Sequence, residues 1–91
     1  MSEAVRLQDA AETLDHTENW AAWLLTDTIT GSTWAITPAG PTLSGQSNTT
    51  TTTTTNVSGV TLGKVYEVRN TITTTAGRTG ERSFVLRGAR Q

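Results

Sequence analysis

The sequence contains no cysteine and only one histidine, His16, among its 91 residues. Without cysteine the chain has no disulfide bridge, no thiolate metal ligand and no catalytic thiol. His16 lies beside Asp15, but no second histidine or recognisable nucleophile motif accompanies the pair. We therefore expect His16 to be a strand residue that points to solvent or caps a turn. The residue inventory predicts no enzyme, no metal site and no cofactor.

Excess charge and long apolar runs are also absent. The formal net charge is −1, and hydrophobic residues make up 34% of the chain. No apolar run is long enough to span a membrane, and the N-terminus lacks the basic and apolar segments of a secretory signal. A nearly neutral chain is also a poor partner for nucleic acid. We expect a protein that is synthesised and assembled inside a cell and binds neither nucleic acid nor membrane.

What the chain does contain is threonine, its most abundant residue type, which is β-branched and favours strands. Turn residues separate about six or seven short alternating segments, a pattern typical of an all-β, immunoglobulin-like sandwich of antiparallel strands. The length suits one domain. Residues 1–8 show no regular period and are predicted to be a flexible N-terminal arm, with residues 9–91 as the sandwich domain.

The C-terminal third predicts a β-hairpin. Residues 66–75 and 81–87 alternate between apolar and polar side chains, and the glycine-containing segment 76–80 separates them. Arg82 and Arg87 are expected on the polar face, while the apolar face must pack against a second sheet. The apolar positions of this and the other alternating segments are the predicted core: Trp20, Ile29, Trp34, Ile36, Val57, Tyr66, Val68, Ile72, Phe84 and Leu86.

The earlier segments are less clearly patterned. Residues 14–20 are predicted to be a strand with a kink or short turn at residues 21–22, although residues 9–25 contain good helix formers and the spacing of Trp20 and Trp23 also suits a helical face. Residues 44–48 have the composition of a loop. The threonine run at 49–55 is either a low-complexity linker or a strand, and we favour an exposed edge strand.

Charge is unevenly distributed, with six of the eight acidic residues before position 28 and six of the seven basic residues after position 63. One interpretation is that the first and last strands pair and bring these charges together. Another is a dipolar subunit whose acidic end meets the basic end of a neighbour in a ring. The two interpretations are compatible.

Several short motifs occur in a distinctive order. Residues 15–24 fit D-x-x-x-x-W-x-x-W-L, residues 68–74 fit V-x-N-x-I-T-T, and residues 77–86 carry G-R-T-x-E-R-S-F-x-L. Together with Ser32-Thr33-Trp34 and residues 57–66, they make the chain similar to phage fibre-tail adaptor proteins over roughly residues 9–88. Gly88 departs from the pattern, which usually ends its last strand with an apolar residue. This departure indicates a frayed strand end or a place where another chain approaches.

The resemblance implies a structural protein of a tailed-bacteriophage virion, made in the host cytoplasm and located at the tail or head–tail neck. Its implied partners are other tail or neck proteins and a fibre or tailspike protein, and a homo-oligomeric ring is the expected assembly. The alternative is a carbohydrate-binding or adhesion module, which would present its tryptophans as an exposed platform.

Three residues are candidates for the interface with a partner. Trp23 is proposed because tryptophan is enriched at binding hot spots. Arg78 lies in the predicted hairpin turn and Arg82 follows it, and loop tips of a sandwich commonly carry binding residues. The threonine-rich segment between Asn48 and Asn56 is a second candidate surface.

Overall fold

The computed structural model describes residues 5–89 and is built almost entirely of strands. Seven strands and one short helix follow one another along the chain: β1 Val5–Gln8, β2 Thr13–Asn19, α1 Ala21–Leu24, β3 Ile29–Thr37, β4 Thr42–Asn48, β5 Thr52–Ser58, β6 Val65–Thr74 and β7 Thr79–Gly88.

The strands form two sheets, ordered β1-β7-β6-β3 and β2-β5-β4. This is the strand order of an immunoglobulin sandwich, in which β2, β5 and β4 take the places of strands B, E and D, while β3, β6 and β7 take those of C, F and G. All pairs are antiparallel except β1, which runs parallel to β7. The predicted fold class is confirmed.

Two local features of immunoglobulin folds recur here. Trp34, on β3, is buried at the place of the strand-C tryptophan. At the start of β6 the Tyr66 hydroxyl accepts a hydrogen bond from the Thr61 backbone N–H at 3.1 Å. This is the geometry of a tyrosine corner. It fixes the loop that leads from one sheet to the other.

The prediction of a flexible arm is wrong for residues 5–8, whereas residues 1–4 lie outside the described part of the chain. Residues 5–8 form β1, paired with residues 85–88 of β7. Gln8 is completely buried and donates from Nε2 to the Val57 carbonyl at 2.7 Å. The prediction failed because a strand of four residues is too short to show an alternation of apolar and polar side chains, and because the buried residue of this strand, Gln8, is polar. The first predicted strand, residues 14–20, corresponds to β2, which pairs with β5. Its predicted pairing with the last strand is therefore wrong, and the strand that pairs with β7 is β1, within the predicted arm.

The core contains nine of the ten predicted residues, and Ile36 is only partly buried. Leu24 and Val60 complete it. The core forms two clusters, a larger one that includes Trp34 and Phe84 and a smaller one that includes Trp20. A buried polar network starts at the smaller cluster: Trp20 Nε1 donates to Asn70 Oδ1 at 2.8 Å, and Asn70 Nδ2 donates to Ser32 Oγ and the Thr33 carbonyl. Because these donors and acceptors are paired, burying Asn70 costs little.

The threonine run forms a strand, but not an edge strand. Its last four residues open β5, which is the central strand of its sheet and buries Thr53, Thr55 and Val57 on alternate positions. Thr49 and the two residues after it form the turn from β4. Residues 44–48, predicted to be a loop, instead belong to β4, where the pairing shifts between Ser44 and Ser47. The β4 strand, almost wholly exposed, is the edge.

Gly88 is buried rather than frayed. A Cβ at this position would meet the Thr61 carbonyl and the Leu62 backbone. The Gly63 backbone N–H donates to the Gly88 carbonyl, and the Gly88 N–H donates to the Lys64 carbonyl. The chain that approaches Gly88 is thus the protein's own loop before β6, which explains why no larger residue ends β7.

A candidate interaction surface at the end of the hairpin

The end of the sandwich where β7 begins carries a compact group of aromatic and basic side chains. The segment between β2 and β3 includes the four-residue helix α1, which turns the chain at this end. Trp20 precedes α1 and is buried, whereas Trp23 within α1 is half-buried. Their rings meet edge to face, with centroids 5.2 Å apart, a favourable arrangement of ring quadrupoles.

Two arginines of the hairpin cover these rings. The Arg82 guanidinium lies 4.1 Å from the Trp20 ring centroid, and that of Arg78 lies 4.3 Å from Trp23. Both distances are within the range of cation–π attraction. Arg82 Nη1 also donates to the Asn19 carbonyl at 2.9 Å, and Arg78 Nη2 donates to the Leu24 carbonyl at 3.1 Å. We call Trp20, Trp23, Arg78 and Arg82 the Trp–Arg cluster.

Gly80 lets the cluster lie against β7. A Cβ at this position would stand 2.8 Å from Trp20 Cζ3 and 3.0 Å from Trp23 Cη2, closer than packed carbon atoms come. Gly80 is the second residue of β7. It thus belongs to the strand and not to the turn, where the sequence had predicted it. In the turn itself, Gly77 has the expected positive φ of 82°.

Asp27 anchors the basic side of the cluster. Its Oδ2 lies 3.1 Å from Arg78 Nε, and its side chain is only 9% exposed. The Thr74 hydroxyl, the backbone N–H groups of Thr28 and Ala76 and the Arg78 guanidinium lower the pKa of Asp27 to about 2. The carboxylate thus stays ionised and holds Arg78 over Trp23 at any pH near neutral.

Beyond the cluster, the turn projects small and apolar side chains into solvent. Ala21, Ala22 and Leu25 are exposed, and Leu25 is 83% exposed. Leu25 ends α1 with φ 60° and ψ −105°, and it is the only described non-glycine residue with a positive φ. A branched L-residue in this region carries a conformational cost. We call Ala21, Ala22, Trp23 and Leu25 the α1 tip.

The structure brings all three candidate interface residues, Trp23, Arg78 and Arg82, into one cluster. Arg82 is on a different face from Arg87, contrary to the prediction: it shares its side of β7 with Phe84 and Leu86, and it caps the end of the core. The second candidate surface, the threonine-rich segment, offers no free edge because β5 is paired on both sides.

Leu25 and its backbone conformation were not predicted. The sequence shows an apolar run, Trp23-Leu24-Leu25, and only the structure separates the buried Leu24 from the exposed Leu25. The exposed aromatic platform that a carbohydrate-binding module needs is not formed: Trp20, Trp34, Tyr66 and Phe84 are buried, and Arg78 covers Trp23.

His16 is buried, contrary to the expectation that it points to solvent. Because Gln8 Nε2 donates to the Val57 and Glu12 carbonyls, Gln8 Oε1 is an acceptor, and His16 Nε2 must donate to it at 2.9 Å. His16 Nδ1 then accepts from Arg6 Nη1 at 3.4 Å. Burial and the nearby Arg6 charge lower the pKa of His16, against the opposing effect of Asp15. Its role is to hold β1 on β2.

No group of three or more histidine, cysteine, aspartate or glutamate side chains suitable for a metal occurs in residues 5–89. Within the same range, no helix is long and apolar enough to cross a membrane.

The sequence matches a family model described as Gp77, podophage GP4 fiber-tail adaptor protein gp77, over residues 8–87. The chain belongs to this family. The match covers the sandwich from the end of β1 to near the end of β7 and includes the Trp–Arg cluster. Membership supports a structural role as a phage tail adaptor, located in the tail of the virion. No curated protein matches the chain.

Proposed function

We propose that this chain joins a fibre or tailspike to the tail or head–tail neck of a podophage virion, and that the α1 tip binds the fibre. The main support for this proposal is Leu25. Its exposed apolar side chain is kept in a costly backbone conformation next to the Trp–Arg cluster. Backbone strain of this kind concentrates at functional positions.

The Trp–Arg cluster acts as the rigid base of the tip. Its cation–π contacts, the Asp27–Arg78 ion pair and the bonds to two carbonyls fix α1 against β7. A preorganised apolar anchor loses little conformational entropy on binding. Leu25, with Ala21 and Ala22 around it, can therefore enter an apolar pocket of the partner, as central anchors of interfaces do.

The variant Leu25→Gly tests this proposal. Glycine adopts positive φ without a Cβ penalty, so the fold should be at least as stable as wild type. Virions assembled with Leu25→Gly should keep the adaptor but lose most of their fibres, as counted by electron microscopy.

Two controls accompany this variant. Leu25→Met keeps an apolar anchor at the same position and should retain the fibres. Thr26→Gly adds the same backbone freedom at the next exposed residue and should also retain them. If Leu25→Gly virions carry a normal number of fibres, the α1 tip does not bind the fibre.

We further propose that copies of the chain form a ring that matches the symmetry of the tail. The β4 strand supports this, because it is an exposed edge strand whose free N–H and C=O groups are available for strand addition. A reconstruction of the tail should then contain several symmetry-related copies. One copy per tail would refute the ring.

A further inference from the structure

The outer face of the four-stranded sheet carries an apolar patch at the end opposite the α1 tip. Register places Leu7 of β1 and Val65 of β6 on either side of Arg87 of β7. In the next row Val85 lies between Val5 and Glu67, whose carboxylate pairs with Arg69. We call Val5, Leu7, Val65, Val85 and Arg87 the Arg87 face. Leu7, Val5 and Val65 are between 52% and 67% exposed.

This patch contains most of the large apolar side chains that are exposed among residues 5–89. There are five such side chains in that range, and three of them belong to the Arg87 face. A fourth, Leu62, lies in the loop that packs against Gly88 at the same end of the sheet. A clustered apolar patch on a small soluble domain marks an interaction site, whereas scattered single residues do not.

The outer face of the other sheet provides the contrast. Its outward positions on β2 and β5 are Thr13, Asp15, Thr17, Asn19, Thr52, Thr54, Asn56 and Ser58. None of them is apolar, as expected for a sheet face that remains in water. Apolar side chains on the outer face are therefore not common to both sheets of this protein, and those of the Arg87 face need an explanation of their own.

Arg87 indicates the charge of the partner. It is exposed and takes part in none of the ion pairs within residues 5–89. By contrast, Arg6, Arg69 and Arg78 each face a carboxylate of their own chain. An unpaired guanidinium within an apolar patch is complementary to an apolar surface that carries a carboxylate.

A second copy of this chain fits poorly. Two Arg87 faces packed about a two-fold axis would bring like charges together. The carboxylates of Glu18, Asp27, Glu67 and Glu81 already face arginines of their own chain. Asp15 is exposed and takes part in none of these ion pairs, but the side chains around it on the outer faces of β2 and β5 are polar, so it offers no apolar surface to match the patch. The partner of the Arg87 face is thus expected to be a different protein.

We propose that the Arg87 face is a second docking surface, which binds an apolar segment of another protein that carries a carboxylate. The inference rests on the proposed function in one respect, that an adaptor needs two attachment surfaces. Arg78, just before β7, and Arg87 are nine positions apart, which spans about 30 Å in an extended strand, so the two surfaces lie at opposite ends of the strand. With the fibre at the α1 tip, the Arg87 face binds the tail.

The test uses virions assembled with the double variant Val65→Thr and Arg87→Glu. Threonine keeps the shape and β-propensity of valine, and both positions are exposed, so the melting temperature should stay near that of wild type. The number of adaptor copies per virion, measured by quantitative mass spectrometry, should fall at least tenfold. Thr33→Glu is the control, because it places a negative charge on an exposed outward position of the same sheet outside the patch, and it should leave the copy number unchanged.

Three results would overturn this inference. The first is a normal copy number of the folded double variant. The second is an equal loss with Thr33→Glu. The third is a concentration-dependent oligomer of the purified wild type, seen by light scattering, that the double variant abolishes, because the occupant would then be a second copy. The Leu25→Gly variant tests fibre binding separately, because its virions are expected to contain the normal number of adaptor copies.

Discussion

At the scale of single residues, the chain uses glycine and polar side chains where its small core needs close packing. Gly80 and Gly88 both lie on the inward side of β7, one below the tryptophans and one below the loop before β6. Asn70 and Gln8 are buried with their hydrogen bonds made. These positions specify how the elements meet, and none of them gives an apolar signal in the sequence.

Gly80→Ala tests the packing of the Trp–Arg cluster. The new methyl group would overlap the two indole rings, which are held by α1 and cannot move away freely. Overpacking of this kind costs about 1 to 3 kcal/mol. We expect a lower melting temperature and a changed tryptophan emission spectrum. Unchanged stability and emission would show that the rings do not pack on Gly80.

His16 predicts how stability depends on pH. Its pKa in the folded protein lies below the ordinary value of 6.5, so the unfolded chain binds a proton more readily than the folded protein. The free energy of unfolding should therefore be constant above pH 6.5 and fall as the pH drops below that value. Urea denaturation between pH 5 and pH 8 measures this.

His16→Gln is the control for the pH dependence, since glutamine does not titrate. This variant should lose the decrease between pH 6.5 and pH 5, whatever its stability at neutral pH. Asp27 does not interfere, because its lowered pKa contributes stability that is lost only below its ordinary value of about 3.8. An identical pH profile for wild type and variant would assign the effect to another group.

At the scale of elements, the predictions succeeded where the alternation was long and failed where other signals decided. The hairpin of β6 and β7 alternates over ten residues on each strand, and its apolar face was correctly predicted. The β4 strand has almost no buried face, so its serines and glycine resemble a loop. For β5, the sequence indicated a strand but not that it is central in its sheet. A central position depends on which strands pair with it, and the residues of the strand itself do not determine this.

Deleting residues 1–8 tests the role of β1. The deletion removes Arg6, which lies 3.9 Å from the Phe84 ring centroid and pairs with Glu18, and it leaves His16 without its Gln8 acceptor. We expect a clear loss of stability, by calorimetry, rather than the intact fold that a flexible arm would imply. Deleting residues 1–4 alone is the matched control and should have a smaller effect. Equal stability of both variants would show that β1 does not support the fold.

At the scale of the whole molecule, the fold places two different surfaces at the two ends of one strand. The molecule extends 40 Å along its long axis. The family resemblance and the sandwich class were both accessible from the sequence, because motif order and alternation extend over most of the chain. The Trp–Arg cluster was found in part, through Trp23 and the two arginines, and the α1 tip only through Trp23. The Arg87 face depends on register between distant strands.

Phe84→Ala tests whether this small core is essential to the molecule. Phe84 is 1% exposed and touches His16, Trp34 and Arg6 from the centre of the larger cluster. Truncation should cost about 3 to 5 kcal/mol, enough to unfold a large fraction of a marginally stable domain. The exposed Val65→Ala variant should cost far less. A cooperative unfolding transition of Phe84→Ala at the wild-type temperature would contradict the assigned core.

The central claim is that one end of the sandwich binds the fibre. Because the chain contains no cysteine, Ala22→Cys gives a single thiol at an exposed position of the α1 tip and leaves Leu25 unchanged. This thiol can carry a short photo-cross-linker into assembled virions. Mass spectrometry of the irradiated particles should find links from position 22 to the fibre or tailspike protein, and none from Thr33→Cys used as the control. Links from position 22 to tail or neck proteins alone would contradict the claim.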